Sequence, residues 1–201
     1  MIKLYDHPLS GNCYKVRLTL AHLGIEYEKI PVDIFQGEHH SDEFTELNPN
    51  RKIPVLCDGD LTLWESNAIV MYLGKKFSPN EIFPEDPGTF GLVSQWILFG
   101  KTTLDPNLAM ARYMTKFLDP QDRNEQELNK FRVQGKAALT ILDDYLAVNQ
   151  FLAGNYSIAD IACYPYVYLA QEGRIDITKF GAVNDWCERV SAQPGYVSMN
   201  H

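Results

Sequence analysis

The sequence predicts an α/β domain followed by an all-α domain. Up to residue 77 the apolar patterns give the order β-α-β-α-β-β-α, and after residue 88 only helical patterns occur. Residues 78–88, which are rich in proline, predict a linker between these two regions. The predicted domains are therefore residues 1–77 and 89–201, each long enough to bury a core of its own.

The first domain opens with a strand–helix–strand unit. Ile2–Tyr5 is a short apolar run before Asp6-His7-Pro8, which predicts a buried strand. A helical pattern follows Ser10-Gly11-Asn12 and ends at Gly24, with Ser10 or Asn12 as its N-cap. Tyr27–Val32 predicts a second strand. A unit of this kind favours parallel pairing of its two strands.

A hairpin and a helix complete the first domain. Residues 33–48 predict a loop with a short helix. Val55–Cys57 and Leu61–Trp64 predict two strands, because the sequence Asp58-Gly59-Asp60 between them is a strong signal for a hairpin turn. Ser66–Lys76 carries apolar residues at helical spacing and predicts the last helix of the domain.

The second domain contains four helical patterns, at about residues 89–115, 122–148, 157–172 and 182–192. Asp105-Pro106 predicts a kink or a break in the first of them, because proline lacks the backbone N–H that a helix interior needs. Ser157 and Asp160 form a capping-box pattern with Asp in place of the usual Glu. We interpret both as structural residues, since loss of a helix cap costs about 0.5–2 kcal/mol.

Charge and composition exclude several classes of function. The chain has 18 Lys and Arg against 26 Asp and Glu, without a basic cluster, so nucleic acid and anionic membranes are not expected partners. No apolar run is long enough to span a membrane, and the N-terminus lacks the apolar core of a signal peptide. The four cysteines are scattered without a C-x-x-C pair, which predicts neither a metal site nor a disulfide framework. We expect a cytoplasmic protein with reduced thiols.

Four segments resemble the signature segments of the cytosolic glutathione transferases, in the expected order and spacing: LYDHPLSGNCYKVRLTL, NPNRKIPVL, DGDLTLWESNAIVMYL and FLAGNYSIADI. The resemblance covers nearly the whole chain. Its first segment is similar to the serine-type classes (theta, delta and zeta), in a bacterial-style member. The family implies a thioredoxin-like first domain and a cytoplasmic homodimer. It also implies detoxification by conjugation of glutathione, the cosubstrate, to hydrophobic electrophiles without a metal.

The resemblance implies that Ser10 donates a hydrogen bond to the thiolate of glutathione. A free thiol has a pKa of about 8.5, and lowering it by two units takes about 2.7 kcal/mol. A hydrogen bond to a charged acceptor supplies about 1.5–3 kcal/mol, and a helix N-terminus adds about 0.3–1. The alternative is that Ser10 is only a turn or cap residue. Cys13 is a rival thiol in the same helical turn, but we favour a buried Cys13, because the cysteine of cysteine-type relatives aligns with Ser10.

The remaining glutathione contacts follow from the other segments. The resemblance implies a cis bond before Pro54, which turns the backbone of Ile53 toward the cysteinyl part of glutathione; the alternative is an ordinary trans turn. Glu65 suits the γ-glutamyl ammonium. Ser66 suits the γ-glutamyl carboxylate through its N–H and hydroxyl, besides serving as an N-cap. Asn67 stands where relatives often have Arg, so any contact from it is open.

The residues that bind the glycine end of glutathione and the second substrate have several candidates. His39 and Lys52 are the candidates for the glycine carboxylate, with the neighbouring His40 or plain surface charges as alternatives. The second substrate is expected between the domains. The five candidate walls of its pocket are Trp96, Phe99, Met110, Tyr113 and Phe117. Aromatic and methionine positions on a helix are more often core than pocket, so we retain only Met110 and Tyr113. Arg112 is a further candidate nearby.

Two other functions are compatible with the sequence. The same site can serve a glutathione-dependent peroxidase, disulfide reductase or isomerase. The fold also occurs in interaction modules that do not catalyse anything, although such a module has no need to keep the run from Ser10 through Ile53-Pro54 to Ser66. Retention on immobilised glutathione separates the module from the enzymes, and activity with a chloronitroarene or a hydroperoxide separates the enzymes from each other.

Overall fold

The computed structural model describes residues 1–199. The chain divides into two compact units, of which the first contains Met1–Asn80 with the segment from Pro194 and the second contains Glu81–Gln193. The whole sheet lies in the first unit, and the second is helical. This confirms the predicted fold class of α/β plus all-α. Within the described residues no helix is both long enough and apolar enough to cross a bilayer.

The first unit has the predicted order of elements, and its sheet runs β2-β1-β3-β4. Strands β1 and β2 are parallel, and the other two neighbouring pairs are antiparallel. This is the thioredoxin-like arrangement that the sequence predicted. The elements are β1 Ile2–Asp6, α1 Gly11–His22, β2 Tyr27–Pro31, α2 Asp42–Leu47, β3 Val55–Asp58, β4 Leu61–Trp64 and α3 Ser66–Lys76.

Side chains alternate between the two faces of the sheet along each strand. Apolar residues point to both faces, and helices cover both. Leu4 and Leu56 are opposite each other in the register and point to the face that α1 and α3 cover. Val55, the residue before Leu56 in β3, points to the other face and packs with Phe44 of α2. The sheet is therefore the middle layer of three. The cluster under α1 and α3 contains Ile2, Leu4, Val16, Leu20, Leu56, Ile69 and Leu73.

The C-terminal segment belongs to the first unit, whereas the predicted helical domain ran through residue 201. The Tyr14 hydroxyl donates a hydrogen bond to the Val197 carbonyl at 2.7 Å. The Arg17 Nη2 donates to the Met199 carbonyl at 2.9 Å. Both donors lie on α1, so the segment that contains Val197 and Met199 packs against this helix.

The second unit consists of five α-helices joined by shorter 3₁₀ and π turns. The predicted break occurs as a π-helical turn at Gly100–Leu104, and the next helix begins at Asp105. Proline at the second position of a helix is tolerated, and the wider π turn before it removes the clash with the preceding backbone. The helices are α4 Pro87–Phe99, α5 Asp105–Lys116, α6 Glu125–Leu146, α7 Ile158–Tyr168 and α8 Gly181–Ser191.

Asp160 is the polar centre of the second unit. It is fully buried, and its carboxylate accepts hydrogen bonds from the N–H groups of Leu152 at 3.0 Å and Ser157 at 3.0 Å. It also accepts from Trp186 Nε1 at 2.9 Å and closes a capping box with Ser157. Burial raises the pKa of Asp160 to about 6, although these donors pull it down. The structural role predicted for Ser157 and Asp160 is confirmed.

We expect Asp160→Ala to lower the free energy of unfolding by at least about 3 kcal/mol, because three buried donors lose their acceptor at about 1–3 kcal/mol each. Urea denaturation followed by circular dichroism measures this change. Ser157→Ala is the matched variant, since it removes only the cap hydroxyl and should cost about 0.5–2 kcal/mol. Equal losses for the two variants would contradict the central position of Asp160.

Candidate active site

The register of the sheet brings the predicted site segments to one edge. Tyr5, near the end of β1, pairs with Val55 at the start of β3, and Val55 pairs with Trp64 at the end of β4. The turn that carries Ser10 therefore leaves the sheet where Ile53-Pro54 enters it and where Glu65 leaves it. Strand β2 ends at this edge too, because it runs parallel to β1. The loop with His39 starts there.

Ser10 is the N-cap of α1. Its Oγ accepts a hydrogen bond from the Cys13 N–H at 3.2 Å, and its own N–H donates to the His7 carbonyl at 3.0 Å. The residue is half-buried in extended backbone conformation. Because the hydroxyl oxygen acts as an acceptor in the cap, the hydroxyl keeps its proton to donate. The cap role predicted as the alternative and a donor role toward a ligand are therefore compatible.

A buried ion pair holds the turn before Ser10. Arg17 and Asp6 are each 2% exposed, and the Arg17 Nη1 lies 2.5 Å from the Asp6 Oδ1. The same guanidinium donates to the carbonyls of His7 at 3.4 Å and Pro8 at 3.3 Å. Arg17 thus fixes the path of the chain between β1 and α1. No local sequence pattern predicts this role of Arg17.

Cys13 is buried, as the sequence analysis favoured. Burial raises the pKa of its thiol to about 12, with a further contribution from the negative charge of Asp6. A thiol with this pKa is about one ten-thousandth thiolate at pH 8, and only the thiolate is nucleophilic. Cys13 is therefore unsuited to serve as the nucleophile.

The bond between Ile53 and Pro54 is cis, as predicted. Pro54 is buried and Ile53 half-buried. The loop before them is held by Asn48, whose Nδ2 donates to the Lys52 carbonyl at 2.6 Å and whose Oδ1 accepts from the Asn50 N–H at 2.9 Å. Asn48 is 2% exposed and was missed from the sequence. The signal for it was the Asn-Pro-Asn run, because asparagine oxygens commonly accept from the backbone two residues on.

The start of α3 differs from the prediction in one respect. Glu65, and not Ser66, occupies the N-cap, and its carbonyl accepts from the Ile69 N–H at 3.0 Å. Ser66 is the first helical residue, so the predicted N-cap role of Ser66 is wrong. Glu65 has φ 73° and ψ 108°, a conformation that costs a residue with a side chain about 1–3 kcal/mol. Such strain is typical of ligand-binding positions.

The Ser66 hydroxyl is engaged within the protein. It donates to the Asn12 Oδ1 at 3.2 Å, whereas the sequence analysis directed it at a carboxylate of the ligand. Beside it, the Lys15 Nζ donates to the Asn67 Oδ1 at 3.4 Å. Lys15 is fully buried, which the sequence did not suggest, because lysine is almost never buried without a partner.

The two candidates for the glycine carboxylate have different characters. His39 is half-buried, and its ring lies against that of His40 with centroids 4.0 Å apart. Burial and the neighbouring His40 lower the pKa of His39, so at neutral pH it presents an N–H and not a positive charge. Lys52 has an exposed side chain, and His40 is exposed as well. Of the two predicted residues, Lys52 is the one that carries a charge.

Family models match both units of the chain. The model of the glutathione S-transferase N-terminal domain matches residues 1–75, and that of the C-terminal domain matches residues 106–194. The disulfide-bond oxidoreductase YfcG of Escherichia coli (strain K12) is 31% identical to this chain over 202 residues. That alignment covers 96% of this chain and 92% of the relative. The chain belongs to the glutathione S-transferase family.

Solved glutathione S-transferases have the same fold. One from Pseudomonas fluorescens is 38% identical, with a TM-score of 0.93 and 98% of each chain covered. Another from Pseudomonas putida is 27% identical, with a TM-score of 0.88, 96% of this chain covered and 88% of the other. The Pseudomonas putida structure has one glutathione disulfide bound per subunit.

In this member of the family two of the residues considered for a second-substrate pocket, Trp96 and Arg112, are buried. Trp96 is 4% exposed and packs against Tyr145, with ring centroids 4.7 Å apart. Arg112 is buried and pairs with Glu172 at 2.5 Å. Met110 and Tyr113 on α5 are 37% and 47% exposed, whereas Phe99 and Phe117 are half-buried. Their role as pocket walls stays a prediction.

We expect a thiol reagent to modify Cys57 and to leave Cys13 intact. All four cysteines lie within residues 1–199 and form no disulfide there; Cys57 is half-buried and the other three are buried. Alkylation of the native protein with iodoacetamide at pH 8, followed by peptide mass spectrometry, locates the label. Cys57→Ser should make the native protein unreactive. Rapid labelling of Cys13 would contradict its burial.

Proposed function

We propose that this chain is a serine-type glutathione transferase in which Ser10 holds the thiolate of glutathione for attack on hydrophobic electrophiles. The observation that carries the proposal is the position of Ser10 at the N-terminus of α1. A donor hydroxyl and the first N–H groups of a helix meet there, at the sheet edge where Ile53 and Glu65 also lie. We further propose that the enzyme acts as a cytoplasmic homodimer.

The interactions at the start of α1 supply about the energy that is needed to lower the pKa of the glutathione thiol. Lowering the pKa of a thiol from about 8.5 to about 6.5 takes roughly 2.7 kcal/mol. A hydrogen bond from Ser10 to the thiolate contributes about 1.5–3 kcal/mol, and the positive end of the α1 dipole about 0.3–1. Ser10 needs no general base, because the nucleophile belongs to glutathione and the hydroxyl acts only as a donor.

The rest of glutathione has partners along the same edge. The backbone of Ile53, before the cis bond to Pro54, is offered to the cysteinyl part in the manner of an added strand. The first turn of α3 offers N–H groups to the γ-glutamyl carboxylate, and the Glu65 carboxylate suits the γ-glutamyl ammonium. Lys52, assisted by His39, suits the glycine carboxylate. The electrophile is assigned to Met110 and Tyr113.

The proposed reaction is a nucleophilic substitution. The thiolate sulfur forms a bond to an electrophilic carbon, the bond to the leaving group breaks, and the leaving group departs with the electron pair. The proton of the glutathione thiol is released to solvent when the thiolate forms. The site contributes by raising the thiolate fraction at neutral pH and by holding the sulfur in place.

We expect Ser10→Ala to lower the rate of conjugation of glutathione to 1-chloro-2,4-dinitrobenzene by about 10- to 150-fold, the equivalent of the roughly 1.5–3 kcal/mol lost with the hydrogen bond. Glutathione affinity, measured by calorimetry at pH 6, should change much less, because the other contacts remain. Ser10→Thr keeps a hydroxyl and is the matched control. Equal rates for wild type and Ser10→Ala would reduce Ser10 to a cap residue.

A second candidate function is the reduction of disulfides by two molecules of glutathione. It is favoured by the 31% identity to a disulfide-bond oxidoreductase and by the burial of Cys13. With no reactive cysteine at the site, both thiols would come from glutathione. The first thiolate attacks the disulfide, forms a mixed disulfide and releases one thiolate. A second glutathione thiolate then attacks the mixed disulfide, so that glutathione disulfide forms and the second thiol leaves.

We expect Cys57→Ser to reduce 2-hydroxyethyl disulfide with glutathione at the wild-type rate, because glutathione supplies both thiols. A coupled assay for glutathione disulfide measures this rate, and the ratio to the chloronitroarene rate says which reaction dominates. Loss of activity in Cys57→Ser would contradict a mechanism without protein thiols. If neither reaction occurs and immobilised glutathione does not retain the protein, the interaction-module reading replaces both enzymes.

A further inference from the structure

Two polar side chains of α1 reach the first turn of α3. Asn12 accepts from the Ser66 hydroxyl at 3.2 Å, and Lys15 donates through Nζ to the Asn67 Oδ1 at 3.4 Å. Asn12 and Lys15 are three residues apart, so they lie on the same side of α1. We call these four residues the polar clamp. The clamp ties the start of one helix to the start of the other.

The clamp joins the two parts of the proposed site. Helix α1 begins immediately after Ser10, the proposed donor to the thiolate, and α3 begins at Ser66, where the γ-glutamyl end is proposed to bind. The distance between these two helix starts must match the distance between the sulfur and the γ-glutamyl carboxylate of glutathione. Because the clamp lies within the first five residues of α1 and the first two of α3, it is placed to set that distance.

The hydrogen bond of Ser66 changes what the γ-glutamyl carboxylate meets. The Ser66 hydroxyl donates its proton to Asn12, so toward any other group its oxygen can only accept a hydrogen bond. A carboxylate at this helix start then depends on the backbone N–H groups of the first turn, which have no partner within the helix. Recognition by backbone groups requires that the turn itself be held in place, since these donors cannot adjust as a side chain can.

Lys15 is the member of the clamp that holds the first turn of α3 through its hydrogen bond to Asn67. Its side chain is fully buried, and Asn67 is 8% exposed, so their contact is shielded from water. A hydrogen bond from an ammonium is roughly twice as strong as one between neutral groups. A lysine from α1 thus supplies a cationic donor to the first turn of α3.

We propose, as a deepening of the proposed glutathione site, that Lys15 is a positioning residue. It acts through Asn67 to hold the first turn of α3 for the γ-glutamyl carboxylate. It thereby contributes to the selection of glutathione over thiols that lack this carboxylate. Lys15 does not touch glutathione in this account, and the chemistry at the sulfur stays with Ser10.

The test compares two thiols in variants of the clamp. The ligands are glutathione and 4-aminobutyryl-cysteinyl-glycine, which lacks only the carboxylate of the γ-glutamyl group. The variants are Lys15→Met, which replaces the ammonium with an apolar group of similar length, Asn67→Ala, and the double variant. Lys75→Met makes the same chemical change at an exposed position of α3 and is the matched control. Calorimetry gives Kd, and steady-state kinetics give KM and kcat.

We expect Lys15→Met and Asn67→Ala each to weaken glutathione binding by about tenfold, with little change in kcat at saturating glutathione. Binding of the analogue should change less than twofold. The double variant should match the single variants, because residues that act through one contact are not additive. Lys75→Met should leave both ligands unaffected.

Three results would overturn the proposal. Unchanged glutathione affinity in both single variants would remove the clamp from recognition. Equal loss for glutathione and for the analogue would show a general structural role. Failure of the wild type to bind glutathione would reject the proposed function, and this inference with it. Asn67→Ala keeps the test informative if Lys15→Met fails to fold, since alanine is well tolerated in a helix.

Discussion

The buried ion pair between Arg17 and Asp6 is the contact on which the arrangement of the first unit depends. It joins the end of β1 to the middle of α1, and the Nη groups of Arg17 also donate to the carbonyls of the intervening turn and of Met199. Breaking such a pair by removing one partner typically costs 3–5 kcal/mol, because the other charge is left buried. The position of Ser10, at the end of this turn, follows from the contact.

The two units contain separate polar networks. In the second unit the buried carboxylate of Asp160 satisfies backbone and indole donors and stabilises the fold. In the first unit the polar groups at the sheet edge lie at the starts of two helices, where unpaired N–H groups favour anions. A change at the helix starts of the first unit should therefore act on ligand binding and rate. A change at Asp160 should act on the amount of folded protein.

The sequence predicted the order of elements well because strands and helices leave strong periodic signals, and both Leu61–Trp64 and Ser66–Lys76 have the predicted bounds. It failed where a residue acts through a partner distant in the chain. The roles of Lys15 and Arg17 could not be predicted, since nothing local reveals a partner 52 residues away or the carbonyl of Met199. The return of the C-terminal segment and the engagement of the Ser66 hydroxyl were missed for the same reason.

The central claim is that the start of α1 lowers the pKa of the glutathione thiol. The most direct measurement is a pH titration of the thiolate absorbance in the near ultraviolet, recorded as a difference between glutathione bound to the protein and glutathione free in solution. The account predicts a pKa for the bound thiol about one to two units below the value of about 8.5 for a free thiol. A bound thiol that titrates with the same pKa as free glutathione would contradict it.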